Sequence, residues 1–407
     1  MEWEKVFASR ALRMKASEIR ELLKLLERPD IISFAGGIPD AALFPKEAVA
    51  DAYAEVLSGA QASVALQYSV SEGYKPLRDW IVKEMARIGI ACTADNVFIT
   101  SGSQQVLDYL GKLFLSPKDT ALVTWPTYLG ALGAFNAYEP TYDRLTPLSN
   151  RAPVSYVEQA EKAGGRVKFA YCVPEFHNPT GVTMTKAERE WLLDLAGDLD
   201  IAIIEDAAYQ ALRYDGESVP PILALDLARN GGDIEKTRTL YCGSFSKTLA
   251  PGLRVGWVVG AQNVIRKLVL TKQAADLHSS TINQMVIAKV AETIFDEQVA
   301  KVRKTYSHRR TRMLEALAKN MPAGVEWTKP EGGMFVWVTL PKGMDGAKLL
   351  ARSLETAKVA FVPGQAFHAD GSGANTLRLS FSCASDEMID RGIERLGGLI
   401  AAEMAIA

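Results

Sequence analysis

The sequence has 407 residues, of which 48% are hydrophobic and 23% are charged, and its net charge is -2. This length predicts two or three packed domains, and the balanced charge argues against a protein that binds nucleic acid or a membrane surface. No apolar run is long enough to span a membrane, and residues 1–5 do not resemble a signal peptide, so we expect a cytoplasmic protein. The four cysteines and four histidines are widely scattered, which indicates no metal site.

The N-terminal part of the chain is predicted to contain helices around a glycine-containing segment. Residues Ser17–Glu27 carry apolar side chains at helical spacing. The following apolar run, residues 31–39, contains the pair Gly36 and Gly37, which either brings bare backbone close to a ligand or only makes a turn. Two more helices are predicted at Lys46–Leu57 and Lys75–Ile88.

Strands and helices then alternate through the middle of the chain. Such alternation is typical of an α/β domain whose mostly parallel sheet is covered by helices on both faces. Helices are predicted at Gln104–Leu115 and from the capping sequence at Thr185 to about Ala196. The predicted strands are Val97–Thr100, Ala121–Thr124, Arg166–Tyr171, Ile201–Ile204, Thr239–Cys242 and Val255–Val259.

The C-terminal part changes character, because helices come first and a mixture of strands and helices follows. We therefore predict a large domain over residues 46–315 and a smaller α+β domain over 316–407, which residues 1–45 join. The predicted helices are Val264–Gln273, Thr281–Phe295, Val302–Ala318, Ala347–Thr356 and Glu387–Glu403. The predicted strands are Met334–Leu340, Ala360–Val362 and Leu377–Ser380.

A lysine lies on the connection between the last two strands of the alternating region. Ser244 and Ser246 precede Lys247, and Arg254 follows it. The serines and Arg254 can bind phosphate, and Lys247 can form an imine if its pKa falls well below the usual value of about 10.4. A nearby cation such as Arg254 and partial burial both lower the pKa of a lysine. The alternative is a solvated loop with ordinary surface cations.

Two other strand ends carry candidate ligand-binding groups. Ser101, Gly102, Ser103 and Gln104 lie between a strand and a helix, where helical N–H groups can bind an anion; the alternative is a helix cap by Ser103. Tyr128 follows the next strand and can stack on a planar cofactor or belong to the core.

Further polar residues follow the next two strands. Asn178 begins an Asn-Pro-Thr-Gly turn, which needs no function as a turn. Asp206 follows an apolar strand, where a carboxylate needs a cation such as a protonated ring nitrogen or a surface Lys or Arg. Tyr209 can reach the same ligand. Arg378 lies in an apolar strand and needs an anionic partner, from the protein or from a ligand.

Taken in this order, these residues resemble the fold-type-I pyridoxal-phosphate aminotransferases of class I and II, and the resemblance covers nearly the whole chain. It implies that Lys247 is the Schiff-base lysine and that Asp206 pairs with the pyridine nitrogen, with Tyr209 as the third catalytic residue. It also implies a homodimer in which Tyr68 reaches the phosphate of the neighbouring subunit. The other implied contacts are Asn178 and Tyr209 at the ring hydroxyl, Tyr128 stacked on the ring, Ser101, Gly102, Ser103, Gln104, Ser244, Ser246 and Arg254 around the phosphate, and Arg378 with Asn178 at the substrate.

The N-terminal segment is similar to the 2-aminoadipate/kynurenine aminotransferase branch. The similar residues are 17–24 and 32–39. This similarity implies that an N-terminal helix covers the site, that Arg20 can meet a distal substrate carboxylate, and that Gly36 and Gly37 let the chain bend over the substrate. Aromatic and branched substrates suit the same region, and Arg20 can equally be a solvated residue.

The implied reaction is a ping-pong transfer of an amino group from an L-amino acid to a 2-oxo acid. A pyridoxal-phosphate lyase or decarboxylase would share these residues. A ligand-sensing regulator would need an attached DNA-binding domain, for which the N-terminal residues are too few and insufficiently basic. A dinucleotide-dependent oxidoreductase would need a G-x-G-x-x-G motif, and the sequence has none after an early strand.

Overall fold

The computed structural model describes residues 2–14 and 30–406. The predicted helix Ser17–Glu27, with Arg20, lies outside these residues. The strands within them, numbered in chain order, are β1 (Ile32–Ser33), β2 (Val97–Thr100), β3 (Thr120–Val123), β4 (Thr141–Arg144), β5 (Val167–Cys172), β6 (Ala202–Asp206), β7 (Thr239–Ser244), β8 (Gly256–Val259), β9 (Glu326–Trp327), β10 (Phe335–Thr339), β11 (Val359–Ala360), β12 (Val362–Pro363) and β13 (Thr376–Ser380).

The α-helices cover both faces of the large sheet and surround the smaller one. They occupy Lys46–Ser58, Ala62–Leu66, Lys75–Arg87, Ser103–Phe114, Leu129–Asn136, Pro153–Lys162, Lys186–Leu199, Ile222–Arg229, Gln262–Gln273, Thr281–Asn320, Gly346–Arg352 and Asp386–Ile406. In the described part of the chain, no helix is both long enough and apolar enough to cross a membrane.

The large sheet has seven strands in the order β2-β8-β7-β6-β5-β3-β4. Neighbouring strands from β7 to β4 are parallel, whereas β8 is antiparallel to both of its neighbours. Strands β2, β3, β7 and β8 are buried along their whole length, as expected for a sheet with helices on both faces. The predicted α/β fold with a mostly parallel central sheet is therefore confirmed.

The carboxyl ends of β5, β6 and β7 lie side by side in this sheet. Cys172 pairs with Glu205, and Asp206 pairs with Cys242. Ligands bind in open α/β sheets at the carboxyl ends of the strands. The loops that follow these three strands carry Asn178, Tyr209 and Lys247, so the topology brings the predicted site residues to one edge.

The smaller sheet is antiparallel, with the order β12-β13-β10-β9. The N-terminal segment lies against this sheet, because the Phe34 carbonyl accepts a hydrogen bond of 2.8 Å from the Ser380 N–H of β13. Strands β1 and β11 form a separate two-stranded parallel sheet. These contacts place residues 35–38 beside β13. They agree with an N-terminal segment that belongs to the small domain, while the domain bounds themselves stay a prediction.

The strand predicted at Ala360–Val362 is divided between β11, which pairs with β1, and β12, which pairs with β13. A predicted helix boundary is also wrong. The helices predicted at Thr281–Phe295 and Val302–Ala318 form a single helix, Thr281–Asn320. The residues between the two predicted helices include neither glycine nor proline, so nothing interrupts the backbone hydrogen bonds. Several elements that are short or weakly periodic were not predicted from the sequence, namely Ala62–Leu66, Leu129–Asn136, β4, Pro153–Lys162 and Ile222–Arg229.

Candidate active site

The loops after β5, β6 and β7 enclose a cavity of about 250 Å³. Segment 37–38 and β13 complete its walls. Twelve of the residues that the sequence singled out line this one cavity: Gly37, Ser103, Gln104, Tyr128, Asn178, Asp206, Tyr209, Ser244, Ser246, Lys247, Arg254 and Arg378.

Lys247 lies in the centre of the lining. Its Nζ donates a hydrogen bond of 3.1 Å to the Gly37 carbonyl and lies 5.9 Å from the centre of the Tyr209 ring. Burial and the Arg378 guanidinium lower the pKa of Lys247 to about 8, and Arg254 acts in the same direction. The lowered pKa increases the fraction of neutral amine near neutral pH, and a nucleophile or a proton acceptor must be in that form.

Strand β6 aims consecutive acidic side chains at opposite faces of the sheet. Glu205 accepts hydrogen bonds from the Ile222 and Leu223 N–H groups at the start of a helix, at 2.8 and 2.9 Å. Asp206, one residue later, lines the cavity. Because side chains alternate along a strand, the helix contact of Glu205 fixes the direction of Asp206.

Asp206 is buried, and only one of its two carboxylate oxygens accepts a hydrogen bond within the described residues. Its side chain accepts a 2.9 Å hydrogen bond from the Tyr171 hydroxyl at Oδ2, whereas Oδ1 has no hydrogen-bond partner among the described residues. Burial raises the pKa of Asp206 to about 6, and the Tyr171 hydroxyl, the Ala208 backbone N–H and the charge of Lys247 oppose that effect. A buried carboxylate oxygen without a donor is unfavourable. A protonated ring nitrogen in the cavity would satisfy it.

Arg378 forms the other polar end of the cavity. Its guanidinium donates to Asn178 Oδ1 at 2.8 Å and to the Ala35 carbonyl at 2.9 Å. It also lies over the rings of Phe335 and Phe367, at 4.2 and 5.0 Å. Its burial, at 1% exposure, lowers the pKa of the guanidinium to about 10.

All of these Arg378 contacts are neutral. No carboxylate within the described ranges lies at ion-pair distance from it, and its Nε has no partner there. A buried cation with neutral neighbours favours an anion from a ligand over one from the protein. A Cβ on Gly37 would lie 3.2 Å from the Phe335 ring, so glycine suits the close packing at this end of the cavity.

The opposite end of the cavity gathers groups that bind anions. Ser103 is the first residue of the helix Ser103–Phe114, and no side chain caps that helix at Gly102. The alternative role of Ser103 as a helix cap is therefore wrong. Ser244 Oγ lies 2.9 Å from Ser246 Oγ. Arg254 completes the group, so helical N–H donors, hydroxyls and a guanidinium face one volume, which suits a phosphate.

Two glycines allow this close approach. Gly102 has φ +88°, which disfavours other residues, and a Cβ on it would overlap the Arg254 guanidinium. A Cβ on Gly256 would lie 2.7 Å from the Ser103 nitrogen. The anion-binding end therefore needs bare backbone at both positions.

Some predicted site residues lie outside the cavity lining. The Ser101 hydroxyl donates to Asp276 at 3.3 Å. Gly102 lies directly against the Arg254 guanidinium. Gly36 is buried next to the lining residue Gly37. Tyr68 is 80% exposed, and its ring meets His278 edge-on with 6.0 Å between the ring centroids.

The cavity also contains residues that were not predicted from the sequence. The lining also contains Ile38, Val173, Ala208 and Pro251. Tyr171 does not line the cavity, but its hydroxyl donates a hydrogen bond to the lining residue Asp206. Ala208 could have been found, because it lies between Asp206 and Tyr209. Tyr171 gave no signal, since a tyrosine in an apolar strand is usually a core residue.

Comparisons with known proteins agree with this geometry. The model of the family "Aminotransferase class I and II" matches residues 29–396. The aromatic-amino-acid aminotransferase 1 of Thermococcus litoralis is 44% identical over 99% of this chain and 96% of its own length. The 2-aminoadipate transaminase of Thermus thermophilus is 42% identical over 100% of this chain and 99% of its own length.

A solved structure shows the same similarity in three dimensions. The α-aminoadipate aminotransferase of Thermus thermophilus, complexed with N-(5'-phosphopyridoxyl)-L-leucine, superimposes with a TM-score of 0.88 at 39% identity, and the match covers 100% of both chains. The family match spans far more than half of the chain. This protein therefore belongs to the class I and II aminotransferases and is an enzyme that transfers amino groups.

Proposed function

We propose that this enzyme moves the amino group of an L-α-amino acid to a 2-oxo acid with pyridoxal 5'-phosphate as its cofactor. The observation that carries the proposal is the unpartnered, buried Oδ1 of Asp206 in the same cavity as Lys247. A lysine of lowered pKa and a carboxylate in need of an N–H donor match the aldehyde and the ring nitrogen of this cofactor.

The residues present fit the cofactor at both ends. The first turn of the helix at Ser103, with Ser244, Ser246 and Arg254, would hold the phosphate. Asp206 would hold the ring nitrogen. The ring would lie beside Tyr128, and the amide of Asn178 and the hydroxyl of Tyr209 would bind the ring hydroxyl. The 3.4 Å hydrogen bond between Asn178 Nδ2 and the Tyr209 hydroxyl supports this pairing.

When bound, pyridoxal phosphate supplies an aldehyde and an electron-accepting ring. Asp206 keeps a proton on the ring nitrogen, because a neighbouring carboxylate favours the protonated form. Lys247, with its amine free and neutral, would take the proton from the substrate α-carbon and hold it for the later proton return. Arg378 binds the substrate carboxylate and so orients the α-C–H bond.

The described lining supports a donor with an apolar or aromatic side chain. Its cations are Lys247, Arg254 and Arg378, and each already has a role at the amine, the phosphate or the α-carboxylate. Ile38, 45% exposed, adds an apolar surface beside the amine. An acidic donor such as 2-aminoadipate would need another cation, for which Arg20 is the proposed residue.

The test is a single half-reaction. The purified enzyme with pyridoxal phosphate is mixed with one amino acid, without an oxo acid, and the cofactor absorbance and the products are measured. We expect the amine form of the cofactor and one equivalent of 2-oxo acid. Release of ammonia or carbon dioxide instead would favour a lyase or a decarboxylase. Arg20→Ala should lower kcat/KM for 2-aminoadipate and largely spare phenylalanine; equal losses would leave Arg20 structural.

We also propose a homodimer in the cytoplasm. Several apolar side chains that are exposed in the single chain lie close to Tyr68 in the sequence, which suits an interface between subunits. They include Leu57, Val64, Leu66 and Val70. Light scattering should give twice the chain mass, and mixing Tyr68→Ala subunits with Lys247→Ala subunits should restore activity at one site of each hybrid dimer. A fully active monomer would contradict the dimer.

A further inference from the structure

A hydrogen-bonded cluster outside the cavity holds the turn at Ser101, and we call it the Ser101 anchor. It consists of Gln105, Tyr109, Lys272 and Asp276. Ser101 donates its N–H to Gln105 Oε1 at 2.9 Å and its hydroxyl to Asp276 Oδ2 at 3.3 Å. Gln105 Nε2 donates to the same Asp276 oxygen at 2.8 Å. The other Asp276 oxygen accepts from the Tyr109 hydroxyl at 3.2 Å.

The anchor follows from two helices that face each other. Gln105 and Tyr109 are four residues apart on the helix Ser103–Phe114, so they share one of its faces. Lys272 is near the end of the helix Gln262–Gln273, and Asp276 follows four residues later in the next turn. The contacts between these pairs join the start of one helix to the end of the other.

Lys272 makes the anchor firm. Its side chain is fully buried, and its Nζ lies 2.9 Å from Asp276 Oδ1 and 2.8 Å from Gln105 Oε1. Asp276 is the only carboxylate at ion-pair distance from Lys272 within the described ranges. A buried ammonium without its carboxylate is strongly unfavourable, so the pair constrains the position of Asp276.

The anchor leaves Ser101 without a free polar group. Its carbonyl accepts from Arg254 at 3.2 Å, and its N–H is held by Gln105. Its hydroxyl lies 3.3 Å from Asp276 Oδ2 and 3.2 Å from the Ser279 hydroxyl. Ser101 does not line the cavity, but the next residues are Gly102 and Ser103, which begin the anion-binding end. A shift of Ser101 would therefore move the helical N–H donors and Arg254 together.

We infer that Asp276, fixed by Lys272, is a positioning residue that sets the phosphate-binding turn through Ser101 and Gln105. The inference rests on the proposed function, since it takes the cofactor phosphate as the anion. The anchor touches only the turn and neither Lys247 nor Asp206, so its effect is confined to binding of the phosphate and does not extend to the pyridine ring.

Comparison of pyridoxal phosphate with pyridoxal, which lacks the phosphate, tests this assignment. Enzyme stripped of cofactor is titrated with each compound, and binding is followed by absorbance. We expect Asp276→Asn to raise the Kd of pyridoxal phosphate roughly tenfold or more, as for lost hydrogen bonds to a charged group. The Kd of pyridoxal should change by less than about twofold, a small change in binding free energy, because pyridoxal has no phosphate for the turn to bind.

Three further variants keep the test decisive. Gln105→Met removes one arm of the anchor and leaves the Lys272–Asp276 pair intact, so it should show the same selectivity if Asp276→Asn does not fold. Ser101→Ala combined with Asp276→Asn should lose less than the sum of the single effects, because both act through one contact. Asp143→Asn is the control, because it breaks the ion pair between Asp143 on β4 and Arg151. Neither residue lines the cavity, so this variant should change neither Kd.

Equal losses of pyridoxal and pyridoxal phosphate in both anchor variants would make the anchor merely structural and overturn the inference. Unchanged affinity for pyridoxal phosphate would overturn it as well. A parent enzyme that binds no pyridoxal phosphate would instead contradict the proposed function, so the two failures are distinguishable.

Discussion

Two arginines mark the ends of the cavity, and they lie in opposite settings. Arg254 is exposed on a turn with φ +53°, among serine hydroxyls and the start of a helix. Arg378 is buried in β13, with two neutral hydrogen-bond acceptors and two aromatic rings around it. The exposed end shares a charge among many donors. The buried end has one guanidinium, for which the proposed substrate carboxylate would be the partner.

The contrast predicts different consequences when each end is altered. Loss of one donor from a shared, solvated site should be partly compensated by its neighbours. Loss of a buried cation removes the whole interaction with its anion. The residues between the two ends should affect chemistry more than binding.

Removal of the central amine should have the largest effect. Lys247→Ala should lower kcat roughly 10²–10⁴-fold, the usual contribution of a positioned acid-base group, while both anion sites stay intact. Borohydride reduction followed by peptide mapping should label Lys247 in the parent and nothing at that position in the variant. The exposed Lys319→Ala serves as the control with parental activity. Label on another lysine of the parent would contradict the assignment.

Alteration of the buried end should come next. A lysine cannot form the same bidentate hydrogen bonds as an arginine. Arg378→Lys should therefore lower kcat/KM for the amino acid by the equivalent of roughly 2–4 kcal/mol of transition-state stabilisation. The Kd of pyridoxal phosphate should stay within a few-fold of the parent, because Arg378 does not face the phosphate end. Steady-state kinetics with a cofactor titration check both values, and a parallel loss of cofactor would argue against separate ends.

Asp206, which lies between the two ends of the cavity, allows a test of the stability of the folded chain. Burial raises the pKa of Asp206 from its ordinary value of 3.8 to about 6. Well below pH 3.8 the carboxyl is mostly protonated in both the folded and the unfolded chain. As the pH rises from 4 to 6 the unfolded chain ionises first, so the folded chain without cofactor loses stability, by roughly 2–3 kcal/mol in total.

Asp206→Asn should therefore stabilise the cofactor-free protein at pH 8 and have little effect on it at pH 4, while it removes most of the activity. Urea unfolding at the two pH values, with Asp143→Asn as the comparison, measures the difference. Activity within a few-fold of the parent would contradict the role of Asp206 at the ring nitrogen.

The exposed end should give the smallest effect. Arg254→Ala should weaken pyridoxal phosphate by roughly 1–2 kcal/mol, because hydroxyls, helical N–H groups and solvent still surround the phosphate. The loss should shrink as salt is added, whereas the Arg378→Lys effect on the amino acid should depend little on salt. If Arg254→Ala proved as damaging as Arg378→Lys at any salt concentration, the contrast between a shared and a single anion site would be wrong.

The amino-acid sequence by itself determined the fold class and most of the candidate site. Regular alternation of apolar strands and amphipathic helices predicts a parallel sheet, and parallel strands place the loops after them at one edge. Residues within a few positions of a strand end, such as Lys247, Asp206 and Asn178, were therefore predictable from local pattern. Glycine at 102 was predictable too, as part of an anion-binding turn.

Only the tertiary structure decided which of these groups meet and which stay unpaired. The contact of Arg378 with Asn178 joins residues 200 positions apart, and the contact of Ser101 with Asp276 joins residues 175 positions apart. No local pattern reports such pairs, because they arise when separate elements pack. The unpartnered oxygen of Asp206 likewise depends on burial and on the nearby Tyr171, and burial is a property of the packed chain.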